Sequence, residues 1–172
     1  MDWGGWRPWS DRWRRDEHVW GDGMIDRSII GFSWGHWEVD IEVGRLRLLA
    51  KAMGETRPIY TDVAAARAAG YRSLIAPPTF AFCLLADSPV GSGYLADVGI
   101  PIAEVLHGEQ SFTYHQLMCA GDRVRVTRQV ADCYEKKGGA LGFVVLESRI
   151  TFAADDSLIA TGRQVMVHRR RP

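Results

Sequence analysis

A short stretch between two predicted helices carries residue types suited to proton transfer. It reads GETRPIYTD at 54–62 and contains a carboxylate at Glu55, a guanidinium at Arg57 and a phenol at Tyr60. A carboxylate can accept a proton and a phenol can donate one, so the stretch could serve acid–base chemistry. A phenol ordinarily has a pKa of about 10, however, which makes Tyr60 a poor base at neutral pH.

A second candidate is the histidine in the stretch VLHGEQSFTYHQ at 105–116. If this stretch is a strand, its period of two places His107, Glu109 and His115 on one face. Because histidine titrates near neutral pH, neighbouring His107 and Glu109 could exchange protons with a substrate. The opposite face would carry Gln110, Phe112 and Tyr114.

The sequence offers no pattern for a metal ion or a nucleotide cofactor. The three cysteines show no C-x-x-C spacing, and the five histidines form no helical i, i+4 pair. The stretch GSGYLA at 91–96 fits the dinucleotide pattern G-x-G-x-x-A, but Gly99 and Pro101 interrupt the helix that should follow. We therefore expect reduced thiols, no metal and no cofactor.

Composition and charge exclude several classes of protein. A chain of 172 residues suits one domain, and 21 basic against 21 acidic residues create no overall field that would attract nucleic acid or an anionic membrane. The longest apolar stretch, at 74–86, contains two prolines and is shorter than the roughly 20 residues of a spanning helix. The N-terminus has no apolar signal-peptide core, so a cytoplasmic location is the default expectation.

Residues 1–28 differ from the rest because they hold five of the seven tryptophans, interleaved with arginines. Such a mixture can stack on single-stranded nucleic acid. Acidic residues in the same segment cancel the arginines, however, and weaken the attraction for phosphate. We interpret the segment as an N-terminal extension that packs its indoles on a single domain at 29–172 or on a partner subunit.

Two short helices are predicted around the stretch 54–62. Apolar residues recur with helical spacing from Ile41 to Met53, and Gly54 follows as a stop. The second helix is predicted to begin after Thr61, as N-cap, and to end at Gly70.

A third helix is predicted within SLIAPPTFAFCLLADSP at 73–89. Pro77 and Pro78 can open it because the first N–H groups of a helix need no partner. Since it is apolar almost all round, we expect burial on every side. An irregular loop, rich in glycine and proline, should follow at 89–101.

The C-terminal part has the alternation of strands. Four strands are predicted, and glycine and aspartate turns join the last three. They should form an antiparallel meander wrapped around the apolar helix, which makes the fold α+β. The strands are expected at 105–116, 122–137, 140–153 and 157–169.

Two runs of residues resemble the MaoC-like hydratase and dehydratase superfamily of hot-dog folds. They read AKAMGETRPIYTDVAAARAAGYRSLIAPPTF and, further along, LHGEQSFTYHQLMCAGDRVRV. More narrowly, the chain is similar to the N-terminal half-type of the fatty-acid-synthase-like dehydratases, as in the non-catalytic subunits of (3R)-hydroxyacyl-ACP dehydratases. The resemblance covers roughly residues 29–168 and implies a substrate that is an acyl thioester of coenzyme A or acyl carrier protein.

The resemblance also implies where the family's catalytic groups would stand. Catalytic members carry the loop G-D-x-N-P-[LIV]-H, followed by a helix that starts with His-Gly and binds the thioester oxygen through the glycine N–H. Glu55 stands in the place of the aspartate, Arg57 of the asparagine, Tyr60 of the histidine and Pro78 of the glycine. A proline has no N–H to donate, and a longer carboxylate misplaces a water molecule. The loop therefore resembles a degenerate site.

The same resemblance suggests which residues touch the substrate. We expect roles for the turn Pro77, Pro78, Thr79 and Phe80, and for His107 and Gln110. For His107, a role in lining the substrate is favoured over chemistry. For Glu55, an ion pair with Arg57 is favoured over catalysis.

The sequence thus predicts the substrate-binding half of a hydro-lyase of fatty acid metabolism, completed by another hot-dog subunit. An alternative is a self-sufficient homodimeric hydratase or thioesterase that uses Glu55, Tyr60 or His107. A further alternative is a non-enzymatic acyl-thioester-binding protein.

Overall fold

The chain is described by a computed structural model that covers residues 20–21, 24–89, 91–98, 100 and 102–169. Most of the tryptophan-rich extension lies outside these residues, so the division at residues 28 and 29 stays a prediction. Within the described part of the chain, no helix is both long and apolar enough to cross a membrane.

One antiparallel sheet of five strands dominates the fold. The strands lie in the order β3-β5-β6-β7-β4, and a two-stranded sheet of β1 and β2 precedes them. The strands are β1 (Trp20–Gly21), β2 (Met24–Ile25), β3 (Ser33–Asp40), β4 (Val105–Tyr114), β5 (Arg123–Lys136), β6 (Leu141–Phe152) and β7 (Leu158–Arg169).

The predicted meander is only partly correct, because β4 pairs with β7 and not with the following β5. The link at 115–122 crosses the end of the sheet, where Ala76 donates its N–H to Met118 O and Gly121 donates to Ile41 O, both at 2.8 Å. These backbone hydrogen bonds hold the link as it passes to the opposite edge of the sheet, where β5 pairs with β3. Strand β3 was not predicted from the sequence.

Within the described residues, four short α-helices and three 3₁₀ helices complete the fold. The α-helices are α1 (Val43–Ala52), α2 (Pro58–Thr61), α3 (Val63–Ala68) and α4 (Phe80–Ala86). The 3₁₀ helices are Arg27–Ile29, Gly91–Val98 and Ile102–Glu104. The expected irregular loop after α4 thus contains a helix.

Two predicted helix starts are wrong. The cap of α3 is Asp62, whose carboxylate accepts the N–H of Ala65 at 2.7 Å, whereas Thr61 ends the separate helix α2. Helix α4 begins at Phe80, so Pro77 and Pro78 form the turn before it and do not open it. A proline suits either place, since neither requires its missing N–H.

The expectation that α4 is buried on every side is also wrong, since Phe82 is 42% exposed. An apolar residue on the outward side of a helix marks a surface that another molecule can cover. The other side of α4 packs on the sheet, as predicted. This cluster joins Phe80, Ala81, Leu84 and Leu85 of α4 to Val124, Val126, Ile150 and Ala160 of the sheet.

Two side chains of the sheet hold the C-terminal turn of α4. Trp37 donates its indole N–H to Leu84 O at 3.0 Å, and Arg128 donates from Nη2 to Leu85 O at 3.3 Å. The Arg128 side chain lies under the helix, with its guanidinium 4.6 Å from the centroid of the Tyr94 ring. The last carbonyls of a helix have no partner within it, so these bonds satisfy groups that burial would otherwise leave unpaired.

The indole hydrogen bond of Trp37 can be tested by substitution with phenylalanine. Trp37→Phe keeps a buried ring but leaves the Leu84 carbonyl unpaired, which we expect to lower the free energy of unfolding by about 1–3 kcal/mol. Urea unfolding followed by circular dichroism measures the loss.

A matched control is Trp34→Phe. Trp34 donates to Tyr94 O at 3.1 Å, but it is only half-buried, so water can replace the lost donor. An equal loss in both variants would contradict the role of Trp37 as a buried anchor.

Candidate functional site

The loop at 54–62 leaves α1 through a left-handed residue. Gly54 has a φ of +69°, a conformation that glycine adopts without the clash of a Cβ atom. Glu55 then donates its N–H back to Ala50 O at 2.8 Å. This hydrogen bond fixes the backbone position of Glu55, from which its carboxylate extends.

Arg57 clamps the Glu55 carboxylate. Its Nε lies 3.0 Å from each carboxylate oxygen, and its backbone N–H donates to Oε1 at 2.9 Å. These hydrogen bonds from Arg57 lower the pKa of Glu55 to about 2. A carboxylate with so low a pKa holds a proton weakly, so it is a poor general base.

Tyr60 lies against the same arginine. The Arg57 guanidinium carbon is 4.8 Å from the centroid of the Tyr60 ring, and the Tyr60 N–H donates to Arg57 O at 3.0 Å. The predicted residues Glu55 and Tyr60 are thus brought together, with Arg57 between them. The Arg57 side chain thus contacts both the Glu55 carboxylate and the Tyr60 ring.

The turn before α4 has few free donors. Pro77 and Pro78 carry no N–H. The N–H groups of Phe80, Ala81 and Phe82 donate to the carbonyls of residues 77–79. Of residues 77–82, Thr79 alone has an N–H without an acceptor among the described residues.

Side chains from two other elements close this turn. The Tyr114 hydroxyl of β4 donates to Pro78 O, and the Thr79 hydroxyl contacts the Met53 sulfur at 3.1 Å. Burial raises the pKa of Tyr114, which keeps its hydroxyl protonated and able to donate. Tyr114 and Met53 were not predicted as site residues, because only the folded chain brings them to the turn.

A bulge in β4 overturns the predicted pairing of His107 with Glu109. His107 lies opposite Met166 and Glu109 opposite Val165, so Gly108 is the extra residue. One extra residue reverses the alternation of side chains. Glu109 therefore points away from His107, to Arg163, whose Nη1 is 3.1 Å from its carboxylate.

The bulge places His107 on the face that carries Gln110, Phe112 and Tyr114. Its imidazole stacks on the Phe82 ring of α4, with centroids 5.8 Å apart. The Nε2 atom lies 3.2 Å from Glu109 O, and the ring is exposed. Such an imidazole can line a ligand, but no carboxylate orients it for proton transfer.

The predicted residues Pro78, Thr79 and His107 therefore border one open surface between α4 and β4. We call this surface the open strip, and its residues are Met53, Pro78, Thr79, Phe82, His107 and Tyr114. Pro77 and Phe80 are buried beneath it. Gln110 is half-buried on the same face of β4. Glu55 and Tyr60 instead contact Arg57 within the loop at 54–62. Across the described residues, no group of three or more His, Cys, Asp or Glu side chains could hold a metal ion.

Comparison with known proteins points to one family. A family model described as the FAS1-like, dehydratase domain region matches residues 28–161. A UPF0336 protein of Saccharopolyspora erythraea is 33% identical over 147 residues, which cover 84% of this chain and 92% of the relative. A UPF0336 protein of Streptomyces avermitilis is 38% identical over 108 residues, which cover 62% and 71%.

Solved structures share the fold. The HadBC (3R-hydroxyacyl-ACP dehydratase) complex of Mycobacterium tuberculosis matches with a TM-score of 0.69 and 23% identity, over 81% of this chain and 96% of that one. The ChsH1–ChsH2 complex of the same organism matches at 0.63 and 19%, over 81% and 85%. The R-hydratase PhaJ1 of Pseudomonas aeruginosa matches at 0.61 and 19%, over 83% of each chain.

The clamp on Glu55 makes a prediction about its titration. Arg57→Met removes the side-chain hydrogen bonds, which lower the pKa most, but keeps the backbone N–H of residue 57 on the carboxylate. The Glu55 midpoint should therefore rise from about 2 part of the way toward its usual value of 4.5. Because the folded-state pKa is depressed, the stabilisation from this pair is present above pH 4.5 and disappears as the pH falls toward 2. Carboxyl-carbon NMR across this range measures both midpoints.

Arg47→Met is the control, because Arg47 donates to Thr61 O and not to Glu55. This variant should leave the Glu55 midpoint unchanged. A wild-type midpoint near 4.5 would show that the clamp does not act in solution.

Proposed function

The chain belongs to the family of FAS1-like dehydratase regions with the hot-dog fold, and from this membership we propose that it is the substrate-binding subunit of an acyl-thioester hydro-lyase. The reaction is the reversible addition of water to an enoyl thioester of coenzyme A or acyl carrier protein. A partner hot-dog subunit supplies the catalytic aspartate and histidine.

The observation that carries this proposal is the turn before α4. Hydration of an enoyl thioester develops negative charge on the carbonyl oxygen, which preorganised donors must stabilise. Pro78 occupies the position of the family's donor and has no N–H, and the following N–H groups of Phe80 and Ala81 are engaged. Among the described residues 77–82, Thr79 has the one N–H without an acceptor, so this turn offers a single donor, and we propose that the partner supplies the others.

The acid–base groups support the same division of labour. Arg57 engages the Glu55 carboxylate and lowers its pKa to about 2, so this group cannot take a proton efficiently. Tyr60 replaces the family's histidine and lies under Arg57. His107 is accessible, but Glu109 faces Arg163 on the other side of β4. The chain thus holds a degenerate loop beside a surface suited to a ligand.

The open strip suits a second hot-dog subunit. It carries exposed apolar side chains, with Phe82 at 42% and Tyr114 also at 42%. Strand β4 beside it is an edge strand of ten residues, whose outer backbone groups are available for pairing. Two of the matching structures are described as complexes of two named proteins, HadBC and ChsH1–ChsH2. We therefore propose a heterodimer across this surface; a homodimer belongs to the alternative of a self-sufficient enzyme.

In this dimer the two subunits have different tasks. The turn of Pro77, Pro78 and Thr79 and the face of β4 with His107 and Gln110 hold the acyl thioester in place. The partner's donors stabilise the thioester oxygen, and its histidine and aspartate direct the water. Positioning of this kind can supply a large part of a rate enhancement.

Activity of the separated and combined subunits tests the proposal. We expect the full chain alone to hydrate crotonyl-CoA at least about a hundredfold more slowly than its complex with a hot-dog subunit that carries the G-D-x-N-P-[LIV]-H loop. The reason is that Pro78 removes the family's oxyanion donor and Arg57 engages the Glu55 carboxylate. Absorbance of the enoyl thioester follows the reaction.

Variants in the complex separate this proposal from the self-sufficient enzyme. Glu55→Gln and Tyr60→Phe should change kcat by less than about threefold, since neither residue moves a proton. Robust turnover by the lone chain that either variant abolishes would refute the division of labour.

The dimer surface makes a separate prediction. Phe82→Glu would bury a charge at the contact and should weaken association by roughly a hundredfold. Sedimentation velocity measures the subunit dissociation. The matched control is Phe32→Glu, because Phe32 is similarly exposed at 40% but lies on β3's side of the sheet. Equal weakening by both variants would place the contact elsewhere.

A further inference from the structure

A row of polar side chains separates the two apolar clusters of the core. The first cluster joins α4 to the sheet, and the second joins the 3₁₀ helix Gly91–Val98 to the same sheet. Between them, at neighbouring positions of β5, β6 and β7, lie Arg128, Ser148 and Gln164. All three are buried, and Gln164 is only 6% exposed. Gln110 of β4 lies directly opposite Gln164 and extends the row to the edge of the sheet.

The amide of Gln110 has a fixed orientation. Its Nε2 donates to Ser111 O at 3.3 Å and to Arg163 O at 3.2 Å, so exchanging nitrogen and oxygen would set the amide oxygen against two carbonyls. Its Oε1 is therefore an acceptor. This oxygen is buried and has no hydrogen-bond partner among the described residues.

The amide of Gln164 leaves a second acceptor unpaired. The Gln164 side chain lies near the Tyr94 hydroxyl, and its Oε1 is buried without a hydrogen-bond partner among the described residues. Burial of an acceptor without a hydrogen bond is unfavourable. The two oxygens, on directly opposite residues, accept no hydrogen bond from the described side chains, and the Arg128 Nε donor of the same row is also buried without a partner.

The two acceptors lie behind the surface that the proposed substrate uses. Gln110 shares its face of β4 with His107 and Tyr114, and roughly 13 Å of strand separates it from Tyr114. Phe112 lies between them, and its ring covers Gly162, where a Cβ atom would come within 2.8 Å of the ring. A ligand that passes from the open strip to the two oxygens has to displace this half-buried ring.

We propose that the Gln110 and Gln164 oxygens form a subsite for a hydroxyl group on the distal part of the ligand's acyl chain, away from the thioester and from C3. This inference rests on the proposed function and specifies its substrate class. The acyl chain is the part that enters the protein, because the charged coenzyme or the carrier protein stays outside. A hydroxyl donates to one amide oxygen, whereas a plain alkyl chain satisfies neither.

Such a subsite discriminates strongly between substrates. A site built to hydrogen-bond a hydroxyl rejects an analogue without it, because the buried polar groups then remain unpaired. The chain should therefore prefer oxygenated acyl chains to unsubstituted chains of the same length. One recovered hydrogen bond corresponds to about tenfold in affinity.

Binding of saturated thioesters tests the subsite without turnover. The full chain, in the assembly in which it purifies, is titrated with hexanoyl-, octanoyl- and decanoyl-CoA and with the ω-hydroxy derivative of each, by isothermal titration calorimetry. We expect at least one ω-hydroxy ligand to bind about tenfold more tightly than its parent. The three acyl-chain lengths place the ω-hydroxyl at different distances from the thioester, so one of them can match the distance to the glutamines.

Substitutions assign the preference to the glutamines. Gln164→Met and Gln110→Met remove one acceptor each. In each variant the affinities for the ω-hydroxy ligand and for its parent should differ by less than about twofold. Their melting temperatures should fall by no more than a few degrees, because an unpaired group is removed. Gln129→Met is the control, since Gln129 is exposed and should leave preference and melting temperature unchanged.

The outcomes separate this inference from the proposed function. Binding of the parent thioesters with no preference for any hydroxyl derivative overturns the subsite alone. Failure of every thioester to bind overturns the proposed function and the subsite together. A preference that survives both glutamine variants, or a large drop in melting temperature with the preference unchanged, shows that ordered water satisfies these oxygens and also overturns the subsite.

Discussion

The contact of α4 with the sheet determines where every part of the candidate site lies. Trp37 and Arg128 donate to the last carbonyls of the helix, at Leu84 and Leu85. The buried cation also meets the negative end of the helix dipole. With the C-terminal turn held in this way, the turn before the helix lies where the Tyr114 hydroxyl of β4 donates to Pro78 O. The outer side of α4 then faces solvent beside an edge strand, which creates the open strip.

The site combines a surface that can hold a ligand with groups that are poorly suited to catalysis. Pro78 removes a backbone donor, and Arg57 holds Glu55 in its ionised form. Both features would harm an enzyme that worked alone. In a two-subunit enzyme they cost nothing, because one subunit can position the substrate while the other moves the protons. The unpaired oxygens of Gln110 and Gln164 fit a subunit whose role is recognition.

Errors in the sequence-based predictions have specific physical causes. Period-two alternation predicted that His107 and Glu109 share a face of β4, but the bulge at Gly108 places them on opposite faces. A bulge adds one residue without changing the apolar pattern enough to reveal it. The apolar composition of α4 predicted complete burial, yet Phe82 is exposed, because composition alone does not show which side of a helix faces away from the sheet. The pairing of β4 with β7 joins residues that are far apart in the sequence, so local patterns did not predict it.

The sequence by itself determined the types of residue in the loop at 54–62, the proline at position 78 and the presence of an apolar helix followed by strands. These are local properties, because a missing N–H or a hydrophobic period belongs to the residues themselves. Only the tertiary structure decided which side chains meet. It placed Tyr114 on the Pro78 carbonyl, His107 on Phe82 and Gln110 opposite Gln164. Strand order and register set these contacts, and both follow from the packing of the whole chain.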